Sequence, residues 1–417
     1  MPNLRDNWRN EIRHKRVTFT PKWQNCAAKN YYTINRILLI CIGLWPYQNS
    51  SFRHIIITFT TVILISSVVV QLTTFITAEY SSDLLLQILA YCIPWLAYTL
   101  KYNALCFNIK KMRGLMRQMR RDWNALSSAQ EIKIIKKYWA FGRFITLITT
   151  LFIYLSIFGF ILVQLLSNFL LDIVTTDQSH SRRLPVKVEY FIDQQKYFIP
   201  LLLHIFLVVL CGLTTVAATE TLHMSYMQHA CGLFEIANYR IEQALHKNTI
   251  QGITSSAERN LIVCKKIISA VNMYRRAIKF VEMSKAHFKW AYLLLLPLGV
   301  LSLSINLYRF SQLIMTEEYY ELIVSILFII GHFWYMFFCN YIGQEVIDHS
   351  GNIFYRTYNT KWYVAPLKAQ KLLLFVMQRS IRHSSFVIGG LFIPSFEGFA
   401  TLTSMSVSYF TVIFSTN

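Results

Sequence analysis

Seven stretches of the chain are long enough to cross a bilayer and almost free of Asp, Glu, Lys and Arg: 54–78, 84–100, 144–171, 198–219, 290–308, 322–344 and 385–417, the last broken only by Glu397. A helix rising about 1.5 Å per residue needs roughly 20 apolar residues to cross some 30 Å of hydrocarbon. Soluble helices instead carry charge on their outer faces. Only 15% of the 417 residues are charged, against about 25% in an average soluble domain. A mean hydropathy of +0.37 with 15% aromatics excludes a disordered chain. The fold class is therefore an all-α membrane protein with seven transmembrane helices.

The basic residues set the orientation. Of 41 Lys and Arg, 9 precede residue 54, 11 lie in 101–143, 10 in 220–289 and 6 in 344–384, while the alternate segments hold only 5. Basic loops are retained in the cytoplasm, so the N-terminus is expected to be cytoplasmic and the C-terminus extracellular. A receptor coupled to G proteins has the reverse arrangement. The net charge of +20 would suggest nucleic acid on a soluble protein; here it belongs to inner loops, and no nucleic-acid partner is expected. All eight cysteines (Cys26, Cys41, Cys92, Cys106, Cys211, Cys231, Cys264, Cys339) fall in spans or inner loops, where no disulfide is expected. The sequon Asn49-Ser50-Ser51 is also on the inner side. No common metal-binding or hydrolase motif occurs, so neither cofactor nor enzymatic activity is expected.

Four regions follow. Residues 1–53 form a cytoplasmic tail whose first 36 residues are polar and basic, with no cleavable signal expected. Within it Ile37 to Trp45 is too short to span and is stopped by Pro46, which predicts an interfacial helix or a shallow re-entrant segment. Residues 54–343 carry spans 1 to 6, 344–384 a cytoplasmic segment, and 385–417 span 7. Leu105, Ile109, Met112, Leu115 and Met119 recur at helical spacing among basic residues, as do Leu233, Ile236, Tyr239, Ile241 and Leu245, then Ile262, Ile268, Val271 and Ile278. Spans 2 to 5 are therefore expected to continue into the cytoplasm as helices, packed on one another or on sister subunits.

Span 7 has one polar face. Thr401, Ser404, Ser408, Thr411 and Ser415 are spaced three and four apart, with Glu397 one turn earlier. A polar stripe on an otherwise apolar helix suits a wall between water and lipid or protein. Hydroxyls bonded back to their own helix would give the same pattern, and the spacing alone leaves both readings open.

The most specific pattern is C-terminal. It runs Gly343-Gln344-Glu345-Val346-Ile347-Asp348-His349-Ser350, Tyr358-Asn359-Thr360-Lys361-Trp362-Tyr363, Pro366-Leu367-Lys368, Gln370-Lys371, Gln378-Arg379-Ser380, Gly389-Gly390, Phe392, Phe396-Glu397-Gly398-Phe399 and Ser408-Tyr409-Phe410-Thr411. In that order and spacing it resembles the insect odorant receptor family over 343–414. The resemblance implies a tetrameric cation channel opened by a small volatile organic ligand. It further implies a tuning subunit that joins a shared co-receptor in a heterotetramer, because 220–289 is of ordinary length where the co-receptor's inner loop is enlarged. Permeant cations and membrane lipids are the other partners, and the plasma membrane of olfactory sensory neuron dendrites the expected location. By the same resemblance span 7 lines the pore, with Ser408, Thr401 and Ser404 along it and a constriction at Val412 and Thr416, where the family usually carries an apolar residue at the second position. Trp362, Tyr363, Pro366 and Leu373 would anchor subunits together. The competing reading of that segment is an amphipathic helix with Lys361, Lys368, Lys371, Arg379 and Arg382 on anionic head groups.

A volatile ligand needs an apolar, aromatic cavity with one or two orienting polar groups. In the outer halves of spans 2 to 6 the candidates are Tyr91, Phe158, Ile161, Gln164, Leu165, His204, Ile205, Ser304 and Asn306. For each, an ordinary core position or a satisfied interhelical hydrogen bond is the competing reading. Arg309 is expected to snorkel or to meet Glu317 or Glu318. A gustatory-receptor-type channel is the alternative family, although Ser408-Tyr409 with Phe414-Ser415 departs from the usual gustatory ending. A secondary transporter is a weaker alternative, since the halves show no convincing repeat.

The orientation is open to a direct check. Epitope tags placed before Met1 and after Asn417 are expected to be reached from opposite sides of the membrane, the first only after permeabilisation; labelling of both from one side would overturn the architecture.

Overall fold

The computed structural model describes residues 30–416 except 49, 127, 175–183, 247–254, 317 and 318. Most of the tail, Cys26, Asn49 of the sequon, and Glu317 and Glu318 therefore lie outside the described residues. The rest is almost wholly helical: α1 (Thr33–Cys41), α2 (Ser50–Leu72), α3 (Thr74–Thr77), α4 (Ser82–Trp123), α5 (Ala129–Val174), α6 (Phe198–Leu245), α7 (Ser256–Thr316), α8 (Tyr319–Tyr358), a 3-10 turn at Trp362–Val364, α9 (Leu367–Ile381) and α10 (Phe396–Thr416). Seven of them are long and apolar enough to cross a membrane, α2 doing so together with α3. Six of these overlie the apolar stretches of the sequence; the seventh is shorter than the predicted 385–417, because 385–395, with Gly389 and Gly390 at positive φ and Pro394, stays non-helical and α10 starts only at Phe396.

Five of the seven are far longer than a bilayer is thick. At 61 residues, α7 extends to roughly 90 Å. The extra length of α4 to α8 gathers at the end of the bundle that carries most of the Lys and Arg, called here the basic end. There the helices bury the predicted stripe of α4, with Leu105, Ile109, Met112, Leu115 and Met119 each at most 5% exposed. The matching stripe of α7 is Val263, Ile267, Ala270, Tyr274, Ala277 and Val281. Ile268, predicted to face inward, is exposed, and Ile262, Val271 and Ile278 lie on the flanks. The extensions thus pack on one another within the chain. A knot of aromatic side chains closes this core, with Trp123 and Trp139 stacked at 5.2 Å and the Trp139 indole donating to His229 Nδ1 at 3.2 Å. Asp122, wholly buried, accepts from Gln118 at 2.8 Å and faces both His229 and Arg276 at 3.4 Å.

The segment before the first span turns back into the bundle. Asn35 Nδ2 on α1 donates to Thr221 Oγ1 of α6 at 2.9 Å, and Leu39 and Leu44 are fully buried. The turn passes through Gly43 at φ +74°, where a Cβ would also meet the Arg53 carbonyl oxygen at 3.2 Å.

Helix α6 is the hub, with half of its apolar window buried inside the chain. In α8 and α10 only 17% of that window is buried. Helix α10 touches α7 and α8 through Gly398, Leu402 and Ser406, and the Ser406 carbonyl accepts from Ser304 Oγ at 2.9 Å. Its start is held by Asn340 on α8, whose Oδ1 accepts from the Ser395 amide at 3.1 Å. The chain crosses α8 there at Gly343, where a Cβ would stand 2.1 Å from the Pro394 carbonyl oxygen.

Gly343→Ala is accordingly expected to push α8 off the 384–395 segment and cost about 1–3 kcal/mol, read as a lower unfolding temperature and less protein at the cell surface. Gly114→Ala, with nothing within 4 Å of the new methyl, is expected to stabilise by up to about 1 kcal/mol through helix propensity. Equal behaviour of the two would refute the close approach.

Candidate functional site: a cavity inside the helix bundle

A cavity of about 230 Å³ lies among α4, α5, α6, α7 and α8. Aromatic faces of Tyr91, Trp95, Phe152, Phe160, Phe328 and Trp334 make much of its wall. Two prolines lie at this level. Pro94 lines the cavity directly, and Pro297 precedes Leu298 and Gly299 on the opposite wall. Each removes one backbone donor from its helix, a loss that membrane helices tolerate where neighbouring groups compensate.

The end away from the basic side is closed by loop 184–197. Val186 reaches the cavity wall, and Val188 is buried behind it. The loop is tied to α2 by the Glu189 amide donating to the Val70 carbonyl at 3.0 Å and by Thr73 Oγ1 donating to the Glu189 carbonyl at 2.8 Å. Burial pushes the Tyr190 phenol up to about 12, so it stays protonated beside His204, with 2.6 Å between its oxygen and Nδ1. Above Tyr91 the Arg309 guanidinium stands 4.8 Å from the ring centroid and pairs with Glu321.

The other end carries charge. Lys101 of α4 pairs with Glu220 of α6, their side chains 7% and 12% exposed. Glu220 Oε2 also accepts from Tyr292 at 2.9 Å and faces the Cys339 thiol at 3.3 Å. The Lys101 ammonium donates to the Tyr335 hydroxyl at 3.3 Å and lies 4.4 Å from its ring centroid. Between the two ends, His332 Nε2 and Ser302 Oγ are 2.9 Å apart on the wall. A smaller cavity of about 60 Å³ shares Leu295, Gly299, Tyr335 and Cys339 with the first, and reaches Phe392, Pro394 and Leu402 at the root of α10.

Of the nine ligand candidates, Tyr91 lines the large cavity. Phe158 and Leu165 are 62% and 50% exposed on the outside of α5. Ile161 packs against the core from an intermediate position, and Gln164 and Ile205 are buried away from the cavity. His204 has both ring nitrogens in hydrogen-bond contact, with Tyr190 and with Ser66 at 2.9 Å. Ser304 joins α7 to α10, and Asn306 donates to the Ser302 carbonyl at 2.7 Å. The sequence reading missed Lys101 and Glu220, whose signal was available: opposite charges at the same level of two spans, each one residue past its apolar run.

The polar stripe stands on the free side of α10, whereas Val412 and Thr416 fall roughly 80° and 40° from the centre of the buried face. At 100° per residue the stripe of Thr401, Ser404, Ser408, Thr411 and Ser415 centres roughly 140° from the buried face, and all five are exposed. Val412 is 57% exposed, and Thr416 Oγ1 donates back to the Val412 carbonyl at 3.0 Å. Of the anchor candidates, Leu373 is fully buried inside the chain, Trp362 and Pro366 are half-buried, and Tyr363 is 62% exposed. The seven cysteines among the described residues are all free.

The ion pair at the cavity floor yields a stability prediction. Lys101→Met alone leaves Glu220 uncompensated and is expected to cost about 3–5 kcal/mol. Lys101→Met combined with Glu220→Gln is expected to recover most of that, measured by thermal unfolding in detergent. A double variant no more stable than the single one would show that the pair's charges are not coupled.

Residues 81–407 match the family described as 7tm odorant receptor. No curated protein matches the sequence. Among solved structures the chain is similar to the insect olfactory receptor OR5 from Machilis hrabei in complex with eugenol, with a TM-score of 0.75 and 14% identity over 94% of this chain and 98% of that one. A second structure of that receptor gives a TM-score of 0.75 and 15% identity, covering 93% of this chain and 97% of that one. At such identities the likeness establishes the fold, while the family match covers most of the sequence. The chain belongs to the 7tm odorant receptor family.

Proposed function

We propose that the chain is a tuning subunit of an odorant-gated cation channel, with no enzymatic activity, its basic end in the cytoplasm and its C-terminus outside. It assembles with the family's co-receptor in a heterotetramer in the plasma membrane of olfactory sensory neuron dendrites. A small volatile ligand enters the cavity among α4 to α8 and opens a pore lined by α10 of each subunit.

The observation that carries this reading is the polar face of α10, turned away from the chain's own bundle. Thr401, Thr411 and Ser415 return their hydroxyl protons to their own helix, and along a shared aqueous path the oxygens of the whole face are solvated. The cavity supports the ligand half of the reading by its aromatic, largely apolar walls, as does the similar receptor that holds eugenol. Tyr335 and Cys339 border both cavities, so one wall connects the ligand space to the root of α10. On the basic end Tyr363, Leu367 and Phe375 are exposed around α9, a surface suited to contact between subunits.

The two halves are separable in cells expressing the chain with the co-receptor. Val412→Lys is expected to reduce cation current for every agonist, because it places a charge in a narrow passage, with surface amount unchanged. Tyr91→Ala is expected to raise the half-activating concentration by about five- to a hundredfold, the effect of about 1–3 kcal/mol of lost apolar contact, and to reorder agonists by size. Equal effects of Tyr91→Ala on all agonists, together with normal conductance in Val412→Lys, would refute the assignment.

A further inference from the structure

The basic end of the bundle carries a stripe of charge that no acid answers. On α4, Lys110, Arg113, Arg117 and Arg120 are spaced three, four and three apart, which gathers them within about 80° of arc. Like charges at that spacing weaken a helix. Asp122 is the only acidic residue from 84 to 128, and it faces His229, Gln118 and Arg276. Among the described residues no ion pair joins any of the four to an acid. Residues 1–29 hold seven Lys and Arg against Asp6 and Glu11, so the tail adds more positive charge than negative.

The turn between α1 and α2 lies against this stripe. Arg113 donates to the Pro46 carbonyl at 2.9 Å, and its guanidinium stands 5.9 Å from the Tyr47 ring centroid. The Tyr47 hydroxyl lies in the field of Arg113, Arg117 and Arg120 together. Arg53, near the start of α2, acts likewise on the Cys106 thiol, one turn before Lys110. No acidic residue occurs from 30 to 78. The apolar run of span 1 opens directly after Arg53 and His54, so Arg53 marks the edge of the hydrocarbon. Phe52 and Phe107, 59% and 86% exposed, offer apolar contact to acyl chains on that side. From Lys110 to Arg120 the stripe extends some 15 Å along α4, away from that edge.

Basic residues at this level attract an anionic leaflet, and the direction of the stripe discriminates among anionic lipids. A serine head group stays near the level of the lipid phosphates and meets only the near end. An inositol ring with further phosphates projects past that level, and guanidinium groups bind phosphate in bidentate fashion. We infer that the stripe, with Arg53, binds a lipid of the inner leaflet whose inositol head group is multiply phosphorylated, and that this lipid ties the α1–α2 turn to α4. The inference rests on the reading of the basic end as cytoplasmic.

The test titrates the purified chain in detergent with dioctanoyl phosphatidylinositol bisphosphate, dioctanoyl phosphatidylserine and inositol trisphosphate, read by native mass spectrometry and by the rise in unfolding temperature. The bisphosphate lipid is expected to bind at a concentration at least about tenfold below phosphatidylserine, equivalent to 1.4 kcal/mol. Arg117→Gln with Arg120→Gln, which leaves Arg113 on Pro46, is expected to weaken it at least about tenfold. Lys136→Gln with Lys137→Gln removes the same charge from exposed positions of α5 and is expected to change it less than about threefold. If the first pair of substitutions lowers the unfolding temperature without lipid, Lys110→Gln, at an exposed position, makes the same comparison. Equal binding of the two lipids, or equal effects of substitutions on α4 and α5, would overturn the inference in favour of unspecific attraction. Inositol trisphosphate binding as tightly as the lipid would assign the stripe to a soluble polyphosphate and overturn it as well. Titration in detergent is indifferent to orientation, so absence of binding refutes this site alone; binding together with tags that place residue 1 outside would refute the cytoplasmic reading and, with it, the inner-leaflet source.

Discussion

Hydrocarbon offers no partner for a backbone amide, so each span must bond its own N–H and C=O groups internally. That requirement makes the fold helical before any side chain is considered, and it leaves side chains to decide only how the helices meet. In the membrane they meet loosely, since lipid solvates Leu and Ile as well as another helix does. At the basic end water is present, the hydrophobic effect returns, and the long extensions of α4 to α8 lock together around Trp139, Tyr226 and Phe234. Rigidity at one end and slack at the other follow from one change of solvent. The cavity lies on the slack side of that boundary, and the Lys101–Glu220 pair stands on it.

The position of that pair is physically informative. Charges at the bilayer centre are costly, and a pair close to the basic end of the bundle costs less because water and basic loops are near. Burial beneath Tyr292 and Tyr335 still removes most of its solvent, so the Coulomb attraction and the extra hydrogen bonds must offset desolvation together. A pair held this tightly restricts α4 against α6 while presenting polar atoms to the cavity. Positioning of the helices and polarity of the cavity floor thus depend on the same two residues.

Much of the fold was legible in the sequence because two signals were strong. The apolar runs marked seven spans, and the motif from Gly343 onward placed the family. The packing of the extensions was legible in part. On α4 large side chains fall on the buried face, so periodicity and burial agree. On α7 the buried stripe includes Ala270 and Ala277, chosen by how closely the helices approach, while the larger Ile268 points outward; a reading weighted by hydrophobicity selects the wrong face. The cavity was the least legible part. Whether an apolar residue faces a void, a neighbour or lipid depends on helix rotation, and Phe158, Phe160 and Ile161 differ in that respect within a single turn.

Helix α10 brings the chain's incompleteness into focus. Its buried face is narrow, Gly398, Leu402 and Ser406, and the remainder is both too polar for lipid at Ser404 and Ser408 and too apolar for bulk water at Val407, Val412 and Phe414. Thr401, Thr411 and Ser415 return their hydroxyl protons to carbonyls of their own helix, which satisfies the donors and leaves oxygen lone pairs facing outward. Under the proposed channel reading, a surface that offers acceptors and carries no Lys or Arg suits the passage of cations. No single chain can enclose such a path with one helix. Several copies of α10, or of its counterpart in a partner subunit, would place the apolar flanks against one another and the stripe against water, and the same association would cover the apolar surface left open on α8.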